Sequence, residues 1–247
     1  MAVHISPEVL AVCNEYRFNA TRDAIAAEFS KLQIPIRFAD AASNRPLGEP
    51  IKPTNRATII RPDNPFDPKA GAHVSDVRWW LVPFFHRKAV KDWRAMCTNA
   101  RFETVETNPS FRDAYKKRRC LVPLTSFIEY SEPPGWKKGQ PKTRHEIAWQ
   151  DGGIRYFAGL WERSNPSDMP EGLESFAFIT GPCCPDVEPI HDRTPAVLTL
   201  EQGMEWLNLE GPGKAAFAEH PPAGTYEVRH APREQQIISP EMRRALP

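Results

Sequence analysis

The sequence predicts an α+β fold, a single strand-rich domain with an antiparallel sheet or partly closed barrel and a few short peripheral helices. The chain has 247 residues, a length that suits one large domain. It contains 26 prolines, roughly twice the average share, which disfavours long helices. Its apolar segments follow one another at hairpin spacing and do not alternate strand with helix, which favours antiparallel pairing over a parallel sheet.

The elements predicted in the first half are short. Residues 19–32 form an amphipathic pattern typical of a helix, which either Asn19 or Thr21 can cap. The segment RATIIR at 56–61 predicts a strand. The segment VRWWLVPFF at 77–85 predicts a buried strand that ends near its proline, and proline-rich loops separate these pieces.

The second half continues the pattern. SFRDAYKKR at 110–118 predicts a short basic helix, and RCLVPLTSFIEYSE predicts two strands broken at Pro123. HEIAW and IRYFAGLW flank the sequence DGG at 151–153, which is a strong hairpin signal. SFAFIT, TLEQGMEWLN and TYEVRH then predict a strand, a capped helix and a late strand. Residues 13–232 therefore form one domain, and 233–247 form a polar tail.

Composition excludes several classes of function. The formal net charge is +1, so any site for a polyanion must be a local patch. The five cysteines form no CxxC pair and no Cys/His ladder, which predicts free thiols in a reducing cytoplasm, without metal or other cofactor. No apolar run reaches the length of a membrane-spanning helix.

Five short motifs contain residues suited to chemistry. They are VCNEY at Cys13, NARFET at 99–104, RRCLVPLTSFIEYSE around Glu129, FAGLWE at 157–162 and IHDRTP at 190–195. Taken singly, each has a structural interpretation, such as a core thiol, a turn cap or a loop histidine. Together they supply a nucleophile, a polar positioner and two proton-transfer groups. These four residues are Cys13, Asn99, Glu129 and His191. Arg101, two residues after Asn99 on the same side of a strand, could hold a phosphate.

The order and spacing of the motifs resemble the SOS-response-associated peptidase (SRAP) family of abasic-site crosslinking proteins, from Cys13 to about Asn208. WWLVPFF resembles the family's W-x-L-[IV]-P-x-[WF], NARFET its N-A-R-x-E-T, and IHDRTP its [IV]-H-[DN]-R-M-P. The sequence RRCLVPLTSFIEYSE resembles the pattern R-R-C-[LI]-[VI]-P-x-x-G-[FY]-[YF]-E-W. It departs at Ser126 and Tyr130, and Thr194 stands where methionine is common.

The resemblance implies that Cys13 becomes the first residue of the mature protein. Its free amine and thiol would then condense with the aldehyde of a ring-opened abasic site in single-stranded DNA, giving a thiazolidine. An α-amine with a pKa of about 7.7 to 8 is partly neutral at cellular pH, and a thiol of pKa about 8.5 supplies the thiolate. By the same resemblance, Asn99 positions the amine and thiol, Glu129 acts as acid and base, and His191 assists sugar ring opening.

The predicted partner is single-stranded DNA that contains abasic sites. The resemblance places phosphate contacts at Arg101 and Arg193, and a stacking surface at Trp80, Pro83 and Phe84. The segments FFHRKAVKDWR and GWKKGQPK suit a single-stranded DNA groove, although a solvated basic surface explains the second about equally well. We expect a cytoplasmic monomer that is associated with the nucleoid when crosslinked.

Residues 1–12 stand in the way of this chemistry, and two explanations fit. GTG encodes valine and is also a bacterial start codon, so initiation at Val12 would give Met-Cys13. Alternatively, residues 1–12 are a leader that the protein's own peptidase activity removes, as the family name implies. The first explanation is favoured because the segment has no capping or packing pattern of its own.

Two other functions remain open on the sequence. The first is a cysteine peptidase or amidase that uses Cys13, Glu129 and His191 on peptide substrates. The second is a non-catalytic single-stranded nucleic-acid module, which would need neither the histidine nor the glutamate.

Overall fold

A computed structural model describes residues 13–39, 46–217 and 221–231. The strands are β1 (Glu15–Arg17), β2 (Ile36–Phe38), β3 (Arg56–Pro62), β4 (Ala72–Trp79), β5 (Asn99–Arg101), β6 (Arg119–Leu124), β7 (Ser126–Ser131), β8 (Thr143–Trp149), β9 (Arg155–Ser164), β10 (Leu173–Pro182), β11 (Arg193–Pro195), β12 (Val197–Leu198) and β13 (Tyr226–His230). The helices are α1 (Arg22–Lys31), α2 (Arg112–Lys117) and α3 (Leu200–Leu207). The predictions for residues 1–12 and for the tail 233–247 lie outside the described residues.

The larger sheet curls into a partly closed five-stranded barrel, which confirms the predicted fold class. Its strands follow the order β10-β4-β3-β6-β9, and β9 pairs back with β10 along a six-residue ladder. Strands β3 and β6 pair only at Ile60 and Leu121. Three pairings are parallel, those of β10 with β4, β10 with β5 and β2 with β4, and the others are antiparallel.

A smaller antiparallel sheet, in the order β1-β7-β8-β13, covers one side of the barrel core. The chain passes from the barrel to this sheet at Thr125, between β6 and β7. The predicted break at Pro123 was therefore two residues early, because Pro123 lies within β6 and pairs with Tyr156. Proline is tolerated there because β3 joins β6 only at Leu121, which leaves one side of β6 without a ladder at Pro123.

The predicted hairpin at 151–153 was wrong. The turn exists, with Gly152 at a φ of 65° and the Asp151 carboxylate accepting a hydrogen bond from the Gly153 amide. However, β8 before it pairs with β7 and β13, whereas β9 after it pairs with β6, β10 and β12. Turn chemistry specifies a local reversal, and the pairing partners are chosen by longer-range packing.

The strand predicted at 77–85 ends earlier, at Trp79. Trp80 has a φ of 117°, which breaks the extended run, and its amide donates to the Phe176 carbonyl in β10. The chain then leaves the barrel and presents Phe84 and Phe85 at the surface. Sequence hydrophobicity could not reveal this bend, because the residues on both sides of it are apolar.

An aromatic core between the two sheets anchors β1. The buried ring of Tyr16 makes edge contacts with Trp79 and Phe157, at centroid distances of 5.3 and 5.6 Å. Thr21, one of the two predicted caps, accepts a hydrogen bond from the Ala24 amide. It caps α1, the element that follows β1 in the chain. None of the helices in the described ranges is long and apolar enough to span a membrane.

Candidate active site

Cys13 lies two residues before β1 and is fully buried. Its thiol donates to the Glu15 carbonyl at 3.5 Å, and its backbone φ of 47° is left-handed. Burial, and next the charge of Glu129, raise the pKa of this thiol well above its ordinary value. The Cys13 thiol is therefore harder to ionise than the ordinary thiol that the sequence suggested.

Glu129 of β7 contacts the Cys13 nitrogen directly. The nitrogen donates to Glu129 Oε1 at 2.7 Å, and Glu129 is 2% exposed. The pairing of Glu15 with Ile128 brings the two residues together, although they are 116 positions apart in the chain. Burial raises the pKa of the Glu129 carboxyl to about 8. In the full chain this nitrogen is an amide, and it marks the place that an α-amine would occupy if Cys13 were the first residue.

His191 lies in the loop between β10 and β11, with a side chain that is 10% exposed. Burial lowers its pKa, and the nearby Asp192 charge partly opposes this shift. Its Nδ1 lies 3.1 Å from the Arg193 amide and 3.0 Å from an Asp192 carboxylate oxygen. One nitrogen cannot accept and donate at once, so the neutral ring accepts from Arg193 and the protonated ring donates to Asp192. The Asp192 charge also raises the pKa of Glu129, so the loop that carries His191 lies within electrostatic reach of β7.

Asn99 and Arg101 occupy β5, where they pair in parallel with Phe178 and Thr180 of β10. Asn99 is half-buried and Arg101 is exposed. Alternation in the strand puts them on one side, as the sequence predicted. Arg101 thus offers its charge to solvent at the edge of the same sheet that carries Asn99.

Arg193 is already engaged. Its guanidinium makes a two-pronged contact with the Glu103 carboxylate, at 3.0 and 2.9 Å, and donates to the Thr180 carbonyl at 2.8 Å. The Arg193 hydrogen bond lowers the pKa of Glu103. Arg193 therefore ties the IHDRTP loop to the NARFET motif, and a phosphate would have to share it with Glu103.

The predicted stacking residues differ in their accessibility. Phe84 is 42% exposed and its ring meets Phe85 edge-on at 5.6 Å. Pro83 is buried, and Trp80 is half-buried with its indole N–H donating to the Ala95 carbonyl at 3.0 Å. Of the three predicted stacking residues, Phe84 is thus the exposed one.

Two charged residues near the site lie outside the five sequence motifs. Arg144 is on β8 and Lys142 is in the turn before it. Arg144 forms a buried ion pair with Glu15, and the Lys142 charge contributes to the lowered pKa of His191. Both residues lie at the end of a basic segment that looked like solvated loop, and nothing in their spacing distinguished them. Across 13–39, 46–217 and 221–231, no group of three or more His, Cys, Asp or Glu side chains could hold a metal ion.

Comparison with known proteins places these residues in a family. The model of the family described as SOS response associated peptidase (SRAP) matches residues 12–233. Abasic site processing protein YoqW of Bacillus subtilis is 37% identical over 139 residues, 55% of this chain and 57% of that protein. Abasic site processing protein HMCES of Gallus gallus is 28% identical over 152 residues, 55% of this chain and 45% of that protein. The chain thus spans about half the length of these relatives.

The fold has relatives among solved structures. A crystal structure of a protein from Bacteroides thetaiotaomicron aligns with a TM-score of 0.71 at 22% identity, covering 90% of this chain and 93% of that one. One from Bordetella bronchiseptica aligns with a TM-score of 0.68 at 20% identity, covering 89% of this chain and 99% of that one. At these identities the likeness concerns the fold alone. The family match extends over most of the chain, and the chain therefore belongs to the SOS response associated peptidase (SRAP) family.

Proposed function

We propose that this protein forms a covalent crosslink with abasic sites in single-stranded DNA through the α-amine and thiol of Cys13. The curated relatives are named as abasic site processing proteins, which supports this target. The amine attacks the C1′ aldehyde of the ring-opened sugar and one water leaves, giving an imine. The thiol then adds to the imine carbon and its proton passes to the nitrogen, which closes a thiazolidine ring without oxidation or reduction.

One observation supports this proposal most directly, the 2.7 Å contact between the Cys13 nitrogen and the buried Glu129 carboxyl. A carboxyl with a pKa of about 8 exchanges a proton readily near neutral pH. Glu129 can take the proton that the amine must lose before attack, and return it to the hydroxyl that leaves as water. The same group can then accept the thiol proton, which matters because the pKa of the buried Cys13 thiol is raised.

His191 suits the ring-opening step in its neutral form. With Nδ1 accepting from the Arg193 amide, the ring proton is on Nε2, where the N–H can donate a hydrogen bond to the sugar ring oxygen and polarise it. The lowered pKa of His191 favours this neutral form. Asn99 and Arg101 would orient the reacting groups and the DNA backbone, and Phe84 would stack on a base.

Residues 1–12 must be absent from the reacting protein, since only a free α-amine can form the imine. Either translation starts at Val12, or the peptide bond before Cys13 is hydrolysed by the same site. Self-processing is chemically reasonable because Glu129 can serve as proton donor and acceptor at the Cys13 nitrogen, which is the leaving group of that hydrolysis. The left-handed φ at Cys13 adds strain of about 1 kcal/mol that is released when the preceding residue is removed.

A peptidase acting on other proteins is the second candidate, and the geometry supports it less. A cysteine peptidase needs a thiolate, which a neighbouring imidazolium stabilises. Here burial and the Glu129 charge raise the pKa of the Cys13 thiol, and burial lowers the pKa of His191, so both groups are held neutral.

Intact mass spectrometry of protein expressed from its native gene context tests the proposal. We expect a mass that starts at Cys13 and gains one oligonucleotide, less one water, on mixing with single-stranded DNA that bears one abasic site. Cys13→Ser keeps the amine, so it should form only an imine that reverses unless it is reduced. A protein that starts at Cys13 and gains no mass would contradict the crosslinking proposal, and turnover of an added peptide would favour the peptidase.

A further inference from the structure

The connection between β7 and β8 is a folded turn that continues beyond the end of their ladder. The two strands pair as far as Ser131 and Thr143, and residues 132–142 form the connection. The indole N–H of Trp136 donates to the Gln140 carbonyl at 2.9 Å, which folds the connection back on itself. The sequence was equally consistent with a solvated basic loop here, and the structure instead gives its side chains fixed contacts.

Lys142 is a cation of this connection that two neighbours hold in place. Its Nζ lies 2.8 Å from a Glu132 carboxylate oxygen and 4.9 Å from the centroid of the Trp136 ring. The Lys142 side chain is largely shielded from solvent, whereas the Glu132 side chain is half exposed. The ammonium group thus has a defined position, although its ion pair is open to solvent on the Glu132 side.

The ladder places Lys142 beside the candidate active site. Glu129 pairs with His145, and Lys142 comes three residues before His145 in the chain. Three residues correspond to about 10 Å along a strand. Burial is the main cause of the lowered pKa of His191, and the Lys142 charge adds to it. Lys142 therefore lies within electrostatic reach of the residue assigned to sugar ring opening.

Arg101, the predicted phosphate contact, is a second cation and lies on the other sheet. It is exposed on β5, which belongs to the larger sheet, whereas the connection that carries Lys142 belongs to the smaller one. A DNA strand that crosses the site between the sheets therefore meets one cation on each. The exposed Asp192 carboxylate lies 3.0 Å from Nδ1 of His191 and repels a phosphate at that point. This charge favours phosphate contacts at Arg101 and Lys142 over one at His191.

We propose that Lys142 binds a phosphate that flanks the abasic sugar, and that this phosphate replaces Glu132 as the partner of the ammonium group. The exchange is favourable because a partly exposed ion pair is weak, whereas a phosphate contact also releases counterions from the DNA. Trp136 is a positioning residue, since its ring holds the ammonium through a cation–π contact. The inference rests on the proposed function, because its ligand is single-stranded DNA that contains an abasic site.

Binding of a single-stranded oligonucleotide with one tetrahydrofuran abasic analogue tests this contact. The analogue has no aldehyde, so fluorescence anisotropy measures binding without crosslinking, at several salt concentrations, for protein expressed from its native gene context. Lys142→Gln should weaken binding by about threefold to tenfold. It should also lower the slope of log affinity against log salt by about 0.7, the value for one phosphate contact in a single strand. The matched control is Lys137→Gln, at an exposed lysine of the same connection, which should change binding by less than about twofold.

A second series of oligonucleotides locates the contact. Methylphosphonate replaces the phosphates on either side of the analogue one at a time and removes one negative charge at each position. We expect one position at which this replacement weakens binding of the native protein by about threefold or more. The same replacement should leave the affinity of Lys142→Gln nearly unchanged, because both changes remove one and the same contact. Lys137→Gln should respond to it as the native protein does.

Equal losses in the native protein and in Lys142→Gln at every methylphosphonate position would overturn the inference. So would a Lys137→Gln variant that loses as much affinity and salt dependence as Lys142→Gln, since the connection would then act only as a diffuse positive surface. If Lys142→Gln does not fold, Lys142→Met replaces it and keeps an unbranched side chain over Trp136.

The same measurements separate this inference from the proposed function. If the native protein binds the analogue but forms no crosslink with an abasic site that has its aldehyde, the proposed function fails, while the methylphosphonate series still decides whether Lys142 holds a phosphate. A native protein that does not bind the single strand would overturn both.

Discussion

At the scale of single residues, the site depends on a carboxyl group in an apolar environment. Glu129 is surrounded by strand residues of the smaller sheet, and its closest polar partner is the Cys13 nitrogen. Removal from water favours the protonated acid, while the hydrogen bond from the nitrogen favours the carboxylate. The balance puts its titration near neutral pH, where both proton transfer steps of the proposed reaction occur.

Glu129→Gln should reduce the crosslinking rate by about 10²- to 10⁴-fold, because the amide cannot accept the proton from the amine. The rate is measured by intact mass against time, using protein that starts at Cys13. Glu227→Gln, on the exposed face of β13, serves as the control and should react at the native rate. A Glu129→Gln protein that crosslinks within threefold of the native rate would assign the proton transfer to another group.

The same substitution should change how stability depends on pH. The pKa of Glu129 is about 8 in the folded protein and about 4.3 in an unfolded chain. The folded state therefore binds this proton more tightly. Its contribution to the unfolding free energy is complete below about pH 4 and is lost as the pH rises toward 8.

Urea unfolding at several pH values between 5 and 8 measures this effect. Relative to the native protein, Glu129→Gln should gain on the order of 2–4 kcal/mol in unfolding free energy across that range. A difference between the two proteins that does not vary with pH would show that burial does not raise the Glu129 pKa.

At the scale of elements, the ends of the helices follow local rules. Thr199 accepts a hydrogen bond from the Gln202 amide at 3.3 Å, and the Gln202 side chain accepts one from the Thr199 amide at 2.9 Å. This capping box starts α3, which packs on β6 and β9 and supplies none of the proposed site residues.

Thr199→Ala should lower the unfolding free energy by about 1 kcal/mol, because the Gln202 backbone amide loses its acceptor at the helix start. Urea denaturation measures the change, and the crosslinking rate should stay native. Thr199→Ser keeps the hydroxyl and is the matched control. If Thr199→Ser lowers the unfolding free energy by as much as Thr199→Ala, the effect comes from lost packing of the threonine methyl group.

At the scale of the whole molecule, closure of the barrel requires close contact between β6 and β9. Gly159 of β9 is paired with Cys120 of β6, and a Cβ at Gly159 would lie 2.7 Å from the Cys120 sulfur and 3.1 Å from its carbonyl oxygen. The glycine is needed there for space, since its φ is not in the left-handed region.

Gly159→Ala should therefore lower the unfolding free energy by about 1–3 kcal/mol through overpacking. Gly181→Ala is the matched control, because Gly181 lies in barrel strand β10 and nothing within 4 Å opposes a Cβ there. Equal stability of the two variants, measured by urea unfolding, would mean that the barrel relaxes around the added methyl group.

The expected monomer and the cytoplasmic location remain predictions, which size-exclusion chromatography and cell fractionation can test.

Local patterns were enough to identify most of the elements and the family. The period of apolar residues located α1, β3 and α3, and the sequence offered Asn19 or Thr21 as the cap of α1. The motifs around Cys13, Asn99, Glu129 and His191 indicated the family. These features depend on neighbouring residues, so the sequence alone determines them. The same local reasoning misplaced the break at Pro123 and assumed a hairpin at 151–153, because it does not specify which strands pair.

The tertiary structure alone decided how the candidate site is assembled. Cys13 and Glu129 are 116 residues apart, and only the pairing of β1 with β7 places the nitrogen at the carboxyl. Burial then changes the proton affinities of both groups, and burial depends on packing of the two sheets rather than on any residue's neighbours in sequence. The ion pair of Glu15 with Arg144 is likewise visible only when β1 and β8 meet across β7. The sequence thus determined which chemical groups the protein has, and the fold decided their distances and their charges.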